Sequence, residues 1–157
     1  MNSLRISFLS ELFPDAMFIH MLRDGRAVSY SILQKLELYN TERWGPQPST
    51  LSNSRPQSKL SRCGLQWLGI VQEIQESFER IDSWRSLTIR YEDFTSNPNK
   101  VLAEVYRYCG IDETIGATVN DGQLSDCNDK WKSKLDSNQI RELNSLLGPN
   151  LSSLGYN

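Results

Sequence analysis

Apolar positions along the chain fall into patterns with two different periods. Residues 17–22, Met-Phe-Ile-His-Met-Leu, are a nearly unbroken apolar run. Such a run fits a strand buried on both faces, as in a parallel sheet. Ahead of it, residues 3–12 place Leu4, Ile6, Phe8, Leu9 and Leu12 at spacings that predict an amphipathic helix. Phe13-Pro14-Asp15 ends that helix, because proline disfavours helical backbone in the residue before it. After the run, Arg23-Asp24-Gly25 reads as a short turn. Residues 26–38 then read as a helix with Val28, Ile32, Leu33 and Leu36 on one side. Strand, glycine turn and helix are the opening half of a βαβ unit.

The pattern breaks between residues 40 and 62. Pro46, Pro48 and Pro56 stand there among many Ser, Asn and Thr residues and predict a long irregular loop. Loops of that length inside a compact domain are commonly either functional or mobile. A second helix is predicted over 63–82, with Leu65, Leu68, Val71, Ile74, Phe78 and Ile81 forming a helical stripe. Ser86–Tyr91 is a second strand candidate. Asn97-Pro98 supplies an N-cap and a first-turn proline for a helix that runs to Cys109, where Gly110 can close it. The polar stretch 111–130 suggests no element. Asp136 and Gln139 form a capping-box variant for a last helix, with Leu135 and Ile140 as its hydrophobic staple, and Gly148-Pro149 is expected to stop it. Strands separated by helices give an α/β class with a parallel sheet as the default.

Composition narrows the function. A length of 157 residues suits a single domain over 1–157. The net charge of −2, from 17 basic and 19 acidic side chains, argues against a general nucleic-acid coat, which needs a basic excess, while leaving room for a local basic pocket. No apolar run approaches the ~18 residues that span a bilayer, and the N-terminus shows no basic flank followed by an apolar core. Cys63, Cys109 and Cys127 are widely spaced, form no C-x-x-C pair and accompany a single histidine, His20. That set makes a zinc site and a disulfide framework improbable, and the thiols read as reduced. Cys63 and Cys109 lie in apolar helical surroundings and read as buried structural thiols; His20, Met17 and Met21 read as core.

The segment that carries chemistry surrounds the first turn. In open α/β sheets, ligands bind beyond the carboxyl ends of strands, and Arg23 lies there. The next helix points its positive dipole end and its first N–H groups at the same place, which favours an anion. Arg23 and Arg26 offer guanidinium forks matched to phosphate oxygens. Ser31 and Lys35 are four apart, so they share a helix face. Together they outline a phosphate-monoester site. A turn with a surface ion pair would have the same local spacing, and Asp24 reads as a turn and N-cap residue rather than a base.

The stretch Phe13-Pro-Asp-Ala, Phe18, His20 and Arg23-Asp-Gly-Arg-Ala-Val28, with Ser31 following, resembles the sulfotransferases that use 3′-phosphoadenosine 5′-phosphosulfate (PAPS). The likeness is to the group that includes bacterial and tyrosylprotein sulfotransferases. It implies that Arg23 and Ser31 hold the cofactor's 3′-phosphate, and that Lys35 stands where the tyrosylprotein type has a basic residue. Tyr91-Glu92-Asp93 followed by Asn97-Pro98 is similar to a family segment whose tyrosine borders the adenine, which implies that role for Tyr91. Lys130-Trp131 resembles a segment whose lysine reaches the nucleotide, and Leu154-Gly155-Tyr156 a common closing signature. The likeness runs over about residues 11–156. Trp67 and Trp131 read as packing residues, and Glu92 and Asp93 as turn and helix-capping residues.

The implied fold is an incomplete P-loop-NTPase-like three-layer α/β fold, a short parallel sheet flanked by helices. The implied donors and products are PAPS and adenosine 3′,5′-bisphosphate (PAP). The acceptor is an unspecified hydroxyl or amine on a small molecule, glycan or protein tyrosine, and the 40–62 loop is the candidate for contacting it. No metal, nucleic acid or membrane segment is implied. The setting is cytoplasmic, or the Golgi lumen if a parent chain carries an N-terminal anchor. The family's glycine-rich loop for the 5′-phosphosulfate, G-x-x-R-S-G-T or P-K-S-G-T, does not occur in the sequence. The domain is therefore expected to be N-terminally incomplete, with no catalytic base assigned, weak or no activity by itself, and bare apolar strand surface. The alternatives are a non-catalytic PAP-binding remnant and a small P-loop kinase. The kinase would require a G-x-x-x-x-G-K-[ST] loop, which is also missing.

Overall fold

Arg85 explains how the two strands are aligned. Its buried guanidinium donates to the carbonyls of Ala16 and Phe13, 3.0 Å each. This ties the segment before the first strand to the segment before the second. In the computed structural model, which describes residues 3–53, 56–112 and 127–156, strand β1 is Phe18–Leu22 and strand β2 is Ser86–Arg90. They pair in parallel from Phe18↔Ser86 to Leu22↔Arg90. Both strands thus end at the same level, and Arg23 and Tyr91 leave the sheet side by side.

Helices flank this two-stranded sheet. Helix α1 is Ile6–Leu12 and α2 is Gly25–Leu38. Helix α3 is Lys59–Glu79, α4 is Tyr91–Ser96 and α5 is Pro98–Cys109. Helix α6 is Lys130–Lys134 and α7 is Ser137–Ser153. The core joins α2, α3 and α7 through Leu33, Leu36, Leu60, Cys63, Trp67 and Val71, closed by Leu143, Leu147 and Leu151. The α/β class, the parallel pairing and the flanking helices agree with the hydrophobic pattern.

Several boundaries differ, each for a local reason. Helix α3 begins at Lys59 rather than 63, because Ser58 accepts the Ser61 N–H while Ser61 reaches back to the Ser58 N–H, a reciprocal cap. Residues 40–62 are accordingly shorter as a loop and contain a 3₁₀ turn at Ser49–Asn53. The buried stripe of α3 runs through Leu60, Cys63, Trp67, Val71 and Ile74, while Leu65 and Leu68 are half-buried and Ile81 lies past the helix end. Tyr91 opens α4 instead of closing β2. Asn97 and Pro98 do start α5, although the Asn97 side chain makes no capping hydrogen bond, and Gly110 closes it at φ +67°. The reciprocal Asp136–Gln139 cap opens α7.

Gly148-Pro149 does not stop α7, which continues to Ser153. Proline removes its own donor and crowds the carbonyl four residues earlier, but buried Leu147 and Leu151 hold the turn on either side of it. Met21 is not core. With Ile19 it stands about half exposed, at 45% and 44%, because no further strand or helix covers that part of β1 among the described residues. Bare apolar strand surface was expected here. Within the 111–130 stretch, residues 113–126 lie outside the described residues, and Lys130 opens α6.

Candidate functional site

The turn between β1 and α2 is built for close approach. A Cβ on Gly25 would lie 2.5 Å from a ring carbon of Trp67, so only glycine lets α2 seat on α3 here. Trp67 is 5% exposed and packs in the core, in agreement with its sequence reading. Asp24 is the N-cap of α2. Its carboxylate accepts the Arg26 N–H at 2.8 Å and pairs with the Arg26 guanidinium at 2.7 Å.

Two expectations change as a result. The start of α2 was expected to offer an N–H group to an external anion, but the Asp24 carboxylate takes the Arg26 N–H. Arg26 was expected to join the phosphate set, but it binds Asp24, lies 4.9 Å over the Trp131 ring and donates to Asn144 at 3.3 Å. A carboxylate two residues away is nearer and better aligned than a diffusing ligand.

Arg23 has different partners. Its guanidinium lies 4.2 Å over the Tyr91 ring. Nε donates to Asn128 Oδ1 at 3.1 Å, and Nη2 donates to the Cys127 carbonyl at 2.8 Å. Among the described residues no hydrogen bond uses Nη1. The register of β1 and β2 brings Arg23 and Tyr91 together. The 127–128 segment brings the chain next to Lys130 onto Arg23, and Lys130 itself is exposed. Cys127 and Asn128 were missed by sequence reasoning, because their contact with Arg23 spans 104 and 105 residues and carries no local signal.

Ser31 and Lys35 make no contact with Arg23 in the structure. Ser31 is exposed on α2, and Lys35 lies 5.9 Å over the Tyr39 ring. Ser31 follows Val28 by three residues and Lys35 follows Ser31 by four, which places the three on one side of the helix. Val28 lines the same 280 Å³ cavity as Arg23, together with Ile32, Trp67 and Trp44-Gly45-Pro46 of the proline-rich segment. The cavity is mostly apolar, with His20, Gln66 and Arg23 as its larger polar groups. Burial pushes the His20 imidazole below its ordinary value, so it is neutral there at pH 7. His20 is half-buried rather than core, edge-on to Phe78 at 6.3 Å. Burial pushes the Cys63 thiol up to about 11, consistent with a structural role, whereas Cys109 is only half-buried.

Glu92 does more than form a turn. One carboxylate oxygen accepts the Asp24 N–H at 3.3 Å, and the other accepts the Tyr156 hydroxyl at 2.9 Å. The single sequence signal was an acidic residue following an aromatic one at a strand end. Among the described residues no group of three or more His, Cys, Asp and Glu side chains is arranged to hold a metal. No helix among them is long and apolar enough to cross a membrane.

Comparison with known proteins identifies the class. The profile described as "Sulfotransferase family" matches residues 1–114, and the chain belongs to that family. It is 28% identical over 167 residues to the protein-tyrosine sulfotransferase of Drosophila melanogaster, covering 96% of this chain and 32% of that protein. It is 29% identical over 111 residues to the omega-hydroxy-beta-dihydromenaquinone-9 sulfotransferase Stf3 of Mycobacterium bovis, covering 70% of this chain and 27% of that protein. The chain thus spans about a third or less of the length of these relatives. Among solved structures, a sulfotransferase domain from the curacin biosynthetic pathway superimposes with a TM-score of 0.61 at 17% identity, covering 99% of this chain and 60% of that one. The fold is therefore that of the sulfotransferases, a P-loop-like α/β fold.

Proposed function

We propose that the chain forms the part of a sulfotransferase that grips the 3′-phosphate and adenine of PAPS, and that it binds the product PAP. The observation that carries this reading is Arg23 stacked on Tyr91 at 4.2 Å, at the matched carboxyl ends of two parallel strands. Arg23 Nη1 is the donor left for a phosphate oxygen. Ser31 and Lys35, on the side of α2 that shares the cavity, add a hydroxyl and an ammonium. Tyr91 borders the base, and exposed Lys130 reaches the nucleotide from the 127–130 side. Guanidinium, ammonium and hydroxyl donors suit a phosphate monoester by their chemistry, and the nearby Asp24 carboxylate is paired with Arg26.

Bound there, the nucleotide would supply the activated sulfuryl group. Arg23, Ser31, Lys35 and Lys130 orient it and spread the charge of its phosphates, and none of them transfers a proton. The acceptor is a hydroxyl or amine. Trp44, Gly45 and Pro46 line the cavity that Arg23 also lines, which supports the proline-rich segment as the acceptor-facing loop.

The test is calorimetric titration of the 157-residue chain with PAP. Arg23→Ala is expected to weaken binding at least tenfold, the loss of one charge-assisted contact, and Ser31→Ala to weaken it less. Binding unchanged by Arg23→Ala would overturn the proposal.

A further inference from the structure

We propose that the tripeptide Leu154-Gly155-Tyr156, after helix α7, is a positioning element of the nucleotide site. Through Glu92, it fixes the Arg23–Asp24 turn and so sets how tightly a 3′-phosphorylated adenine nucleotide is held. This rests on the binding reading above.

Three contacts converge on the end of β2. Arg90 donates to the Leu154 carbonyl. Gly155 takes a left-handed φ of +76°, and a Cβ there would lie 2.8 Å from Arg90 Nη2, so a side chain would push the arginine away. The Tyr156 ring then sits under the Arg90 guanidinium at 4.6 Å, buried to 8% exposure, with its hydroxyl on Glu92.

Glu92 passes this on in two directions. Its backbone follows Tyr91 directly, and its second oxygen accepts the N–H of Asp24, the residue directly after Arg23. Arg23 is therefore covalently next to the amide that Glu92 holds, and Tyr91 is covalently next to Glu92 itself. A phenylalanine ring would fill the same space under Arg90. The tyrosine differs only by its hydroxyl, and that hydroxyl is spent on Glu92. The phenol is pushed well above its ordinary value by burial and by the Glu92 carboxylate, so it remains a donor throughout the neutral range. Without that donor Glu92 loses one of its two partners, the carboxylate turns toward water, and the Asp24 amide and Arg23 lose a fixed frame.

The test uses the 157-residue chain and PAP, with Tyr156→Phe, Glu92→Gln, Arg23→Ala and the Tyr156→Phe/Arg23→Ala double variant. Ile6→Val, a buried α1 position away from Arg90, Glu92 and residues 154–156, serves as a control that is destabilised without touching the clamp. Tyr156→Phe is expected to weaken PAP binding about tenfold at a temperature where every variant is folded. It should cost nothing further in the Arg23→Ala background. Ile6→Val should leave affinity unchanged. In the absence of ligand, hydrogen exchange at the Asp24 and Arg26 amides should be faster in Tyr156→Phe and normal in Ile6→Val. Wild-type affinity in Tyr156→Phe, alongside a large loss in Arg23→Ala, would overturn the clamp and leave the binding reading intact. If Arg23→Ala is without effect, the binding reading fails, and the amide exchange still decides the clamp: unchanged Asp24 exchange in Tyr156→Phe overturns it.

Discussion

Gly25 and His20 show how single residues set the site. Gly25 has no room for a methyl group against Trp67, and the obstacle is a buried indole with few alternative positions. Gly25→Ala is therefore expected to destabilise the chain by about 1–3 kcal/mol, the usual cost of overpacking, and to shift Arg23 enough to lower PAP affinity. A denaturant titration beside a binding titration checks both; an unchanged midpoint would show that α2 can move away. His20 gives a pH dependence whose sign follows from burial. Its folded-state pKa lies below the ordinary 6.5, so below that pH the unfolded chain binds more protons than the folded one. The histidine's contribution is present above pH 6.5 and is lost as pH falls below it. Thermal melts from pH 7.5 to 5 should show this decline, and His20→Phe should flatten it. Equal slopes in the two proteins would contradict the assignment. Arg23 is legible as a site candidate because it follows an apolar run at a strand end, whereas Tyr91 is a candidate only through the family resemblance. Arg26 was misread because sequence spacing does not say which anion a guanidinium meets first.

Among the elements, strands and helices were legible where their signal is local. The apolar run at 17–22, the Asn97-Pro98 start, the Gly110 end and the Asp136–Gln139 cap each state their own geometry. The errors arose where packing overrode a local rule. Pro149 breaks a helix by propensity, yet Leu147 and Leu151 are almost fully buried against α3 and carry α7 through it. This has a measurable consequence. Pro149 is exposed and lies inside the helix, so Pro149→Ala restores a donor and is expected to raise stability by about 1–3 kcal/mol. A lower melting temperature for that variant would mean that proline's rigidity in the unfolded chain outweighs the missing bond.

On the scale of the whole molecule, β1 and β2 pair only with each other among the described residues, and Ile19 and Met21 are about half exposed. Unpaired strand edges with apolar side chains favour association. The 157-residue chain is expected to melt at low temperature with weak cooperativity and to associate as its concentration rises. Met21→Lys should reduce the association measured by sedimentation with little change in stability. A sharp, high-temperature transition of a monomeric wild-type chain would contradict this. The amino-acid order alone determined the class of fold, the strand that ends at Arg23 and the helix that follows it, because these rest on periodicity, caps and turns within a few residues, and it carried the family likeness through matched motifs. Only the tertiary structure decided which charged groups are spent on one another. Asp24 takes Arg26, Asn128 and the Cys127 carbonyl meet Arg23, and Glu92 links the turn to Tyr156. Those contacts join residues up to 105 apart, and strand register and helix packing, rather than neighbouring sequence, bring them within hydrogen-bonding distance.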